Sequence, residues 1–176
     1  LVSARLLNAM YFNVPQSRER MIFIGVRDDL GIQPSHPKAQ SQPVTVREAL
    51  RAIGDIGMTP TVVRKSDRFA SYMVLVKPGQ SAGDTLGTGY NWVKAKWDSP
   101  APTLPKAVSW GGYHMVWHPA EHRNFTGREL ARLASFPDEF VIPGKYKDWA
   151  ERIGNSVPPL FMRAVARHIC AEILRV

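Results

Sequence analysis

The sequence predicts an α/β fold, with strands first, helices last and a mixed stretch between them. Three observations carry that expectation. The N-terminus holds two strand-like stretches, Val2–Leu7 and the apolar Met21–Val26. The C-terminal third holds two helix-start signals, at Thr126–Glu129 and Asn155–Pro159. Between them lies a stretch rich in glycine, proline and aromatic residues that keeps no single period.

In chain order, Val2–Leu7 reads as a first strand, Asn8–Arg20 as a loop and Met21–Val26 as a second strand. The second run is uncharged and stops before Arg27-Asp28-Asp29, the pattern of a strand buried on both faces. Arg18 and Arg20 stand two positions apart, so an extended backbone points both to one side. Two readings stay open: a wall of a site for an anionic or base-like ligand, or a solvated Arg/Glu cluster. The loop that carries them follows the first strand, where open α/β sheets gather functional groups. Residues 31–43, with Pro, Gln and Ser and no periodicity, read as a linker.

A short helix is predicted at Thr45–Ile53, with Thr45 and Glu48 at capping-box spacing, Val46, Leu50 and Ile53 on one face, and Gly54 and Gly57 at its end. The mixed region follows. Tyr72–Val76 suggests a strand and Lys77–Gln80 a turn. In Tyr90–Trp97 aromatics interleave with Lys94 and Lys96, and Pro102–Pro105 and Ser109–His114 have turn chemistry. Lysines beside rings and glycines suit a nucleic-acid surface, where lysine meets phosphate and backbone approaches bases. A small β domain with tryptophans in its core and lysines in solvent explains the same pattern, and without further information is the better explanation.

Thr126-Gly127-Arg128-Glu129 is a capping box leading into Leu130, Leu133 and Ala134, with Pro137 as the breaker. The last helix is predicted to span Leu160–Leu174, with Val157, Phe161, Val165, Ile169 and Ile173 recurring every fourth residue and Asn155 or Ser156 as cap. Free N–H groups there suit a carboxylate or hydroxyl, although most capped helices hold nothing.

The 176 residues, 44% hydrophobic, suffice for one domain or slightly more. No run approaches the roughly 18 apolar residues of a membrane helix, and no signal-peptide pattern opens the chain. No membrane partner and a cytoplasmic setting are therefore expected. Opening without methionine inside a strand suggests a piece of something longer. The single cysteine, Cys170, excludes an internal disulfide and fits a reducing compartment. Its place between Ile169 and Ala171 reads as a packed, inert thiol rather than a nucleophile. A net charge of +8 favours a polyanionic partner.

Three blocks, in this order, resemble the DNA cytosine-C5 methyltransferases. Asn13-Val14-Pro15-Gln16-Ser17-Arg18-Glu19-Arg20 is similar to that family's eighth motif, His118–Phe140 to its ninth, and Ile153-Gly154-Asn155-Ser156-Val157-Pro158-Pro159 to its tenth. Trp97–Leu104 resembles the segment with the recurring Thr-Leu pair of the target-recognition domain, and Gly111-Gly112 lies where such domains carry a glycine loop. The resemblance implies the C-terminal edge of a Rossmann-like sheet with an inserted α+β recognition domain. Its layout would be catalytic-domain strands at 1–30, recognition domain at 31–117, and a return to the catalytic domain at 118–176.

It also implies a chemistry: a cysteine thiolate adds to C6 of a flipped cytosine, a carboxylate assists at N3, and C5 receives a methyl group from S-adenosylmethionine. By resemblance Arg20 faces the cytosine O2, Arg18 supports the active-site carboxylate and backbone contacts, and Gln16 shapes the loop. Asn155, Ser156 and Val157 would form a cofactor wall, while Lys94, Lys96, Thr103, Leu104, Gly111 and Gly112 would meet double-stranded DNA. Arg128 and Glu129 are assigned to the scaffold. The family's glycine-rich cofactor loop, Glu-Asn-Val motif and Pro-Cys nucleophile are absent from these 176 residues. The expectation is a part that works only with an N-terminal catalytic half, in the same polypeptide or a separate subunit, and is inactive alone. The alternative is a stand-alone, non-catalytic DNA-binding remnant. A transfer-RNA methyltransferase shares these motifs, but the long recognition region argues for a prokaryotic restriction-modification or orphan enzyme, which the resemblance implies is DNA-associated in the cytoplasm.

Overall fold

The computed structural model describes residues 1–51, 53, 68–87, 91–108 and 114–175, with side chains of 68–70 left aside. The chain runs through β1 (Val2–Asn8), β2 (Glu19–Gly25), α1 (Val46–Ala49), α2 (Arg68–Leu75), α3 (Ala82–Leu86), β3 (Val93–Lys94), β4 (Val116–Trp117), α4 (Gly127–Leu133), α5 (Tyr146–Asn155) and α6 (Pro159–His168). A π-helical turn, Ile169–Leu174, extends α6.

β1 and β2 pair antiparallel, with Leu6 opposite Met21 and Ala4 opposite Phe23. Because side chains alternate, one face carries Leu7, Ile22 and Ile24. That face packs in two clusters, Leu7, Phe12 and Val14 against Phe161, Ala164 and Val165, and Ile24 and Val26 against Ile173. The other face carries Val2, Leu6, Met21 and Phe23, all exposed. The expectation of a strand buried on both faces is therefore corrected: among the described residues β2 is covered on one side only.

The largest core gathers α1, α4, α5 and the segments between them around Val46, Leu104, Phe125, Leu130, Leu133, Trp149 and Ile153. Both predicted capping boxes form. Thr45 Oγ1 accepts from Glu48 N and Thr126 Oγ1 from Glu129 N, and each glutamate accepts the cap N–H in return. α1 is shorter than predicted, and its intended stop at Gly54 and Gly57 lies outside the described residues. α4 ends before Pro137: Ser135 takes φ +63°, and its N–H reaches back to Arg132 O.

Two segments differ from expectation in kind. Tyr72–Leu75 belongs to α2 rather than a strand, and Val76 directly follows the helix. Met73 and Val76 are buried while Val74 and Leu75 are exposed, a spacing of three that suits a helix and that so short an apolar run cannot declare. Asn155 and Ser156 do not cap the last helix. Asn155 ends α5, Ser156 is its C-cap, and Pro158 caps α6 with Pro159 as first residue. α5 itself was unanticipated, although Trp149, Ala150 and Ile153 supply a buried stripe. Cys170, expected to be packed, is exposed on the π-helical turn.

A third cluster joins α2, α3 and the short parallel β3–β4 pair through Met73, Val76, Ala82, Trp92 and Trp117. Trp92 and Trp117, 6.3 Å apart, are core residues, as a small folded domain requires. Among the described residues no helix is long and apolar enough to cross a membrane.

Candidate functional site

Three segments distant in sequence meet beneath the sheet. The loop Pro15–Arg18 runs beside Ala101–Leu104 in a parallel bridge: Ala101 N donates to Pro15 O (2.9 Å) and Ser17 N to Ala101 O (2.8 Å). Side chains tighten the contact. Thr103 Oγ1 donates to Ser17 O at 2.8 Å, and Leu104 N donates to Gln16 Oε1 at 3.3 Å. Gln16 Nε2 reaches Leu133 O, tying the loop to the end of α4.

Arg18 joins the third segment, the turn between α5 and α6. Its Nη1 donates to Leu104 O (3.1 Å), and its Nη2 to Gly154 O (2.7 Å) and Ser156 O (3.1 Å). The residue is 3% exposed. Its acceptors are main-chain carbonyls and Gln16 Oε1; no carboxylate pairs with it among the described residues. Burial, and secondarily the charge of Arg20, lower the guanidinium to about 10, which leaves it cationic at neutral pH. Arg20 sits half-buried at the start of β2, donating to Glu19 O at 2.6 Å.

Gly154 makes the convergence possible. A Cβ there would lie 2.3 Å from Lys106 N and 2.5 Å from Pro105 C, so only glycine lets α5 touch that backbone. Ser156 Oγ turns back to Ile153 O at 2.7 Å, whereas Asn155 and Val157 point outward.

Several supporting residues were not anticipated. His114, fully buried, accepts Val116 N–H on Nδ1 (3.1 Å) and therefore donates from Nε2 to Pro105 O (2.9 Å). Burial lowers its pKa, against the opposing effect of its carbonyl contacts. Buried Asn124 brackets the His114 backbone, accepting its N–H and donating to its carbonyl. Arg123 forms a two-pronged pair with Glu129 at 2.7 and 2.9 Å. Burial alone would lower the Arg123 pKa, but its bonds to Glu129 and Glu121 outweigh that and raise it. Glu129 thus serves as cap and counter-ion, and Arg128 lies over the Trp149 ring at 5.7 Å. His114, ending a glycine-containing turn, and Asn124, among polar residues, gave no sequence signal for these pairings.

The expected DNA-facing residues divide. Lys96 and Thr103 are exposed. Lys94 is 5% exposed, and desolvation lowers its pKa; its expected role as an open phosphate contact is corrected, because β3 carries it into the fold. Leu104, 1% exposed, is a core residue here rather than a DNA contact. Gly111 and Gly112 lie outside the described residues.

These converging segments are the ones that resemble the methyltransferase motifs, and the C-5 cytosine-specific DNA methylase family model matches residues 1–171. The chain belongs to that family. Among similar curated proteins, Type II methyltransferase M.Eco47II of Escherichia coli is 30% identical over 191 residues, covering 96% of this chain and 45% of the relative. Type II methyltransferase M1.HphI of Haemophilus parahaemolyticus is 30% identical over 185 residues, covering 96% and 47%. The chain spans about half the length of the curated relatives it matches. A candidate DNA modification methyltransferase from an Escherichia coli prophage shares the fold at TM-score 0.72 and 18% identity, covering 99% of this chain and 61% of that one. The Entamoeba histolytica methyltransferase EhMeth does so at TM-score 0.57 and 14% identity, covering 99% and 54%. The fold is thus of the α/β methyltransferase type.

Proposed function

We propose that this chain is the recognition and pocket-completing part of a DNA cytosine-C5 methyltransferase that uses S-adenosylmethionine. The observation that carries the reading is the convergence on Arg18: the loop similar to the eighth motif, the Thr103-Leu104 segment and the Gly154–Ser156 turn form one bonded unit. In this reading residues 1–30 and 118–176 belong to the catalytic domain and 31–117 to the recognition domain. The nucleophile comes from residues outside these 176, since the only cysteine, Cys170, follows Ile169 on the far helix.

Arg20, half-buried and cationic, is suited to hold the carbonyl oxygen of a flipped cytosine. Gln16 and Arg18 hold the loop that presents it. Lys96 and Thr103 face the duplex, lysine at phosphate and the threonine edge toward the groove. At the α5–α6 turn, Asn155 offers an outward carboxamide and Val157 an outward apolar branch, while Ser156 fixes the turn. Those two outward chemistries fit an adenosine-bearing cofactor. When bound, S-adenosylmethionine supplies the methyl group. The exposed apolar face of β1–β2 favours a chain that works against a catalytic half over a stand-alone DNA-binding remnant.

The test combines this chain with a polypeptide carrying the Pro-Cys and Glu-Asn-Val motifs and follows tritiated methyl transfer to duplex DNA. Transfer is expected from the mixture and from neither part alone. Arg20→Ala should lower kcat by about 10²-fold, the size of losing one charge-stabilising donor, with duplex affinity changed far less. A folded complex that transfers nothing would sink the reading.

A further inference from the structure

The geometry points to Arg18 as a positioning residue that clasps the DNA-side segment Thr103–Lys106 to the cofactor-side turn Gly154–Ser156, so that both move as one body. Which ligands lie on the two sides rests on the function proposed above; the clasp itself does not.

Three features set this side chain apart from an ordinary buried arginine. First, its carbonyl acceptors come from two strands of chain that are about fifty residues apart, Leu104 on one side and Gly154 and Ser156 on the other. The two Nη atoms of a planar fork reach both at once, which the single ammonium of lysine does not reproduce. Second, with no acidic partner among the described residues, its charge neutralises nothing and instead strengthens bonds to carbonyls. Third, each carbonyl it holds adjoins an outward side chain of the proposed interfaces. Leu104 follows exposed Thr103, and Gly154 and Ser156 flank exposed Asn155, with Val157 next.

Neighbouring contacts make the unit rigid. Gln16 grips Leu104 N, Thr103 Oγ1 grips Ser17 O, and Gly154 lies against the Pro105–Lys106 backbone with no room for a Cβ. A displacement of Thr103 by bound duplex is therefore transmitted through Leu104 O and the guanidinium to the backbone on both sides of Asn155. Such a link makes duplex and cofactor affinities interdependent, and reciprocally so.

Hydrogen–deuterium exchange on this chain tests the clasp directly. Arg18→Met should raise exchange about tenfold or more in 103–107 and 154–158 together, the loss expected for charge-assisted bonds, while β1–β2 and α6 keep wild-type rates. A rise in only one segment, or an equal rise throughout, overturns the proposal. Should Arg18→Met not fold, Arg18→Lys decides: it keeps the charge without the fork, and wild-type exchange in both segments overturns the clasp. In a complex that transfers methyl groups, the factor by which duplex tightens S-adenosylmethionine binding should fall toward one in Arg18→Lys. An unchanged factor overturns the coupling. A complex inactive with wild-type Arg18 would count against the methyltransferase reading alone, since the exchange result still stands or falls by itself.

Discussion

Arg18 and Phe23 lie five residues apart on the same loop-and-strand, yet their surroundings differ in completeness. Arg18 is 3% exposed, with both Nη atoms bonded to carbonyls from remote segments. Phe23 is 69% exposed, on a sheet face shared with Val2, Leu6 and Met21. Around Arg18 the chain pairs both Nη groups internally and leaves only Nε without a partner, in keeping with a cost of about 1–3 kcal/mol for each buried donor or acceptor left unpaired. On the outer face of β1–β2 it leaves contiguous apolar surface, whose removal from water is worth about 25 cal/mol per Å². The contrast separates two kinds of structural debt. The junction is self-sufficient, whereas the sheet face is stabilised only when something covers it.

Substitutions at the two places should behave oppositely. The largest effect is expected at the junction: Gly154→Ala puts a methyl group into the Pro105–Lys106 backbone, which neither side can evade by turning a rotamer. A loss of about 1–3 kcal/mol is expected, read as a lower urea midpoint with an unchanged slope. Wild-type stability would show that the close approach can open freely.

An intermediate effect should come from pH. His114 donates to Pro105 O inside the junction, and burial holds its pKa below the ordinary value. His118 shifts the same way, through burial first and the Arg123 charge second. Between the lowered folded values and the unfolded value near 6.5, the unfolded chain binds more protons. Stability is therefore full above about pH 6.5 and declines as pH falls through the window beneath it. Urea midpoints measured from pH 7.5 to 5 should fall, and His114→Gln, which keeps a donor without a titration, should flatten the curve. A midpoint constant over that range would contradict the buried neutral imidazole.

The smallest change in stability belongs to the open face. Phe23→Lys should alter unfolding free energy by no more than about 0.5 kcal/mol, as surface substitutions do. It should nevertheless reduce association with a catalytic half, detectable by analytical ultracentrifugation. A large destabilisation would mean that Phe23 is packed within this chain, and the contrast with Arg18 would disappear.

Much of the fold could be read from residues, for identifiable reasons. The capping boxes at Thr45/Glu48 and Thr126/Glu129 form as spaced, because N-cap chemistry is local. β1 and β2 stand near their predicted ranges, since an apolar run bounded by charges needs no tertiary help to declare itself. Tyr72–Val76 resisted because five apolar residues fit either a strand or a helical turn. The α5–α6 turn is not legible locally, because Asn155-Ser156 shortly before two prolines resembles a helix start, and only the packing of Trp149 and Ile153 reveals a preceding helix. Within the candidate site, spacing singled out Arg18 and Arg20 and the family resemblance added Gln16 and Thr103, but neither said which of them would be buried.

By itself the sequence determined the motif order, the basic charge, the N-terminal strand pair and the capped helix starts, all properties of neighbouring residues. Only the tertiary structure decided that Arg18 turns inward and Arg20 stays at the edge, and that Lys94 and Leu104 are interior. It also decided that Gly154 must be glycine and that one face of β2 stays open. Those outcomes depend on which remote carbonyl, ring or backbone arrives at a side chain. Hydrogen bonds and close packing between residues some fifty to more than a hundred positions apart leave no local pattern from which they can be read.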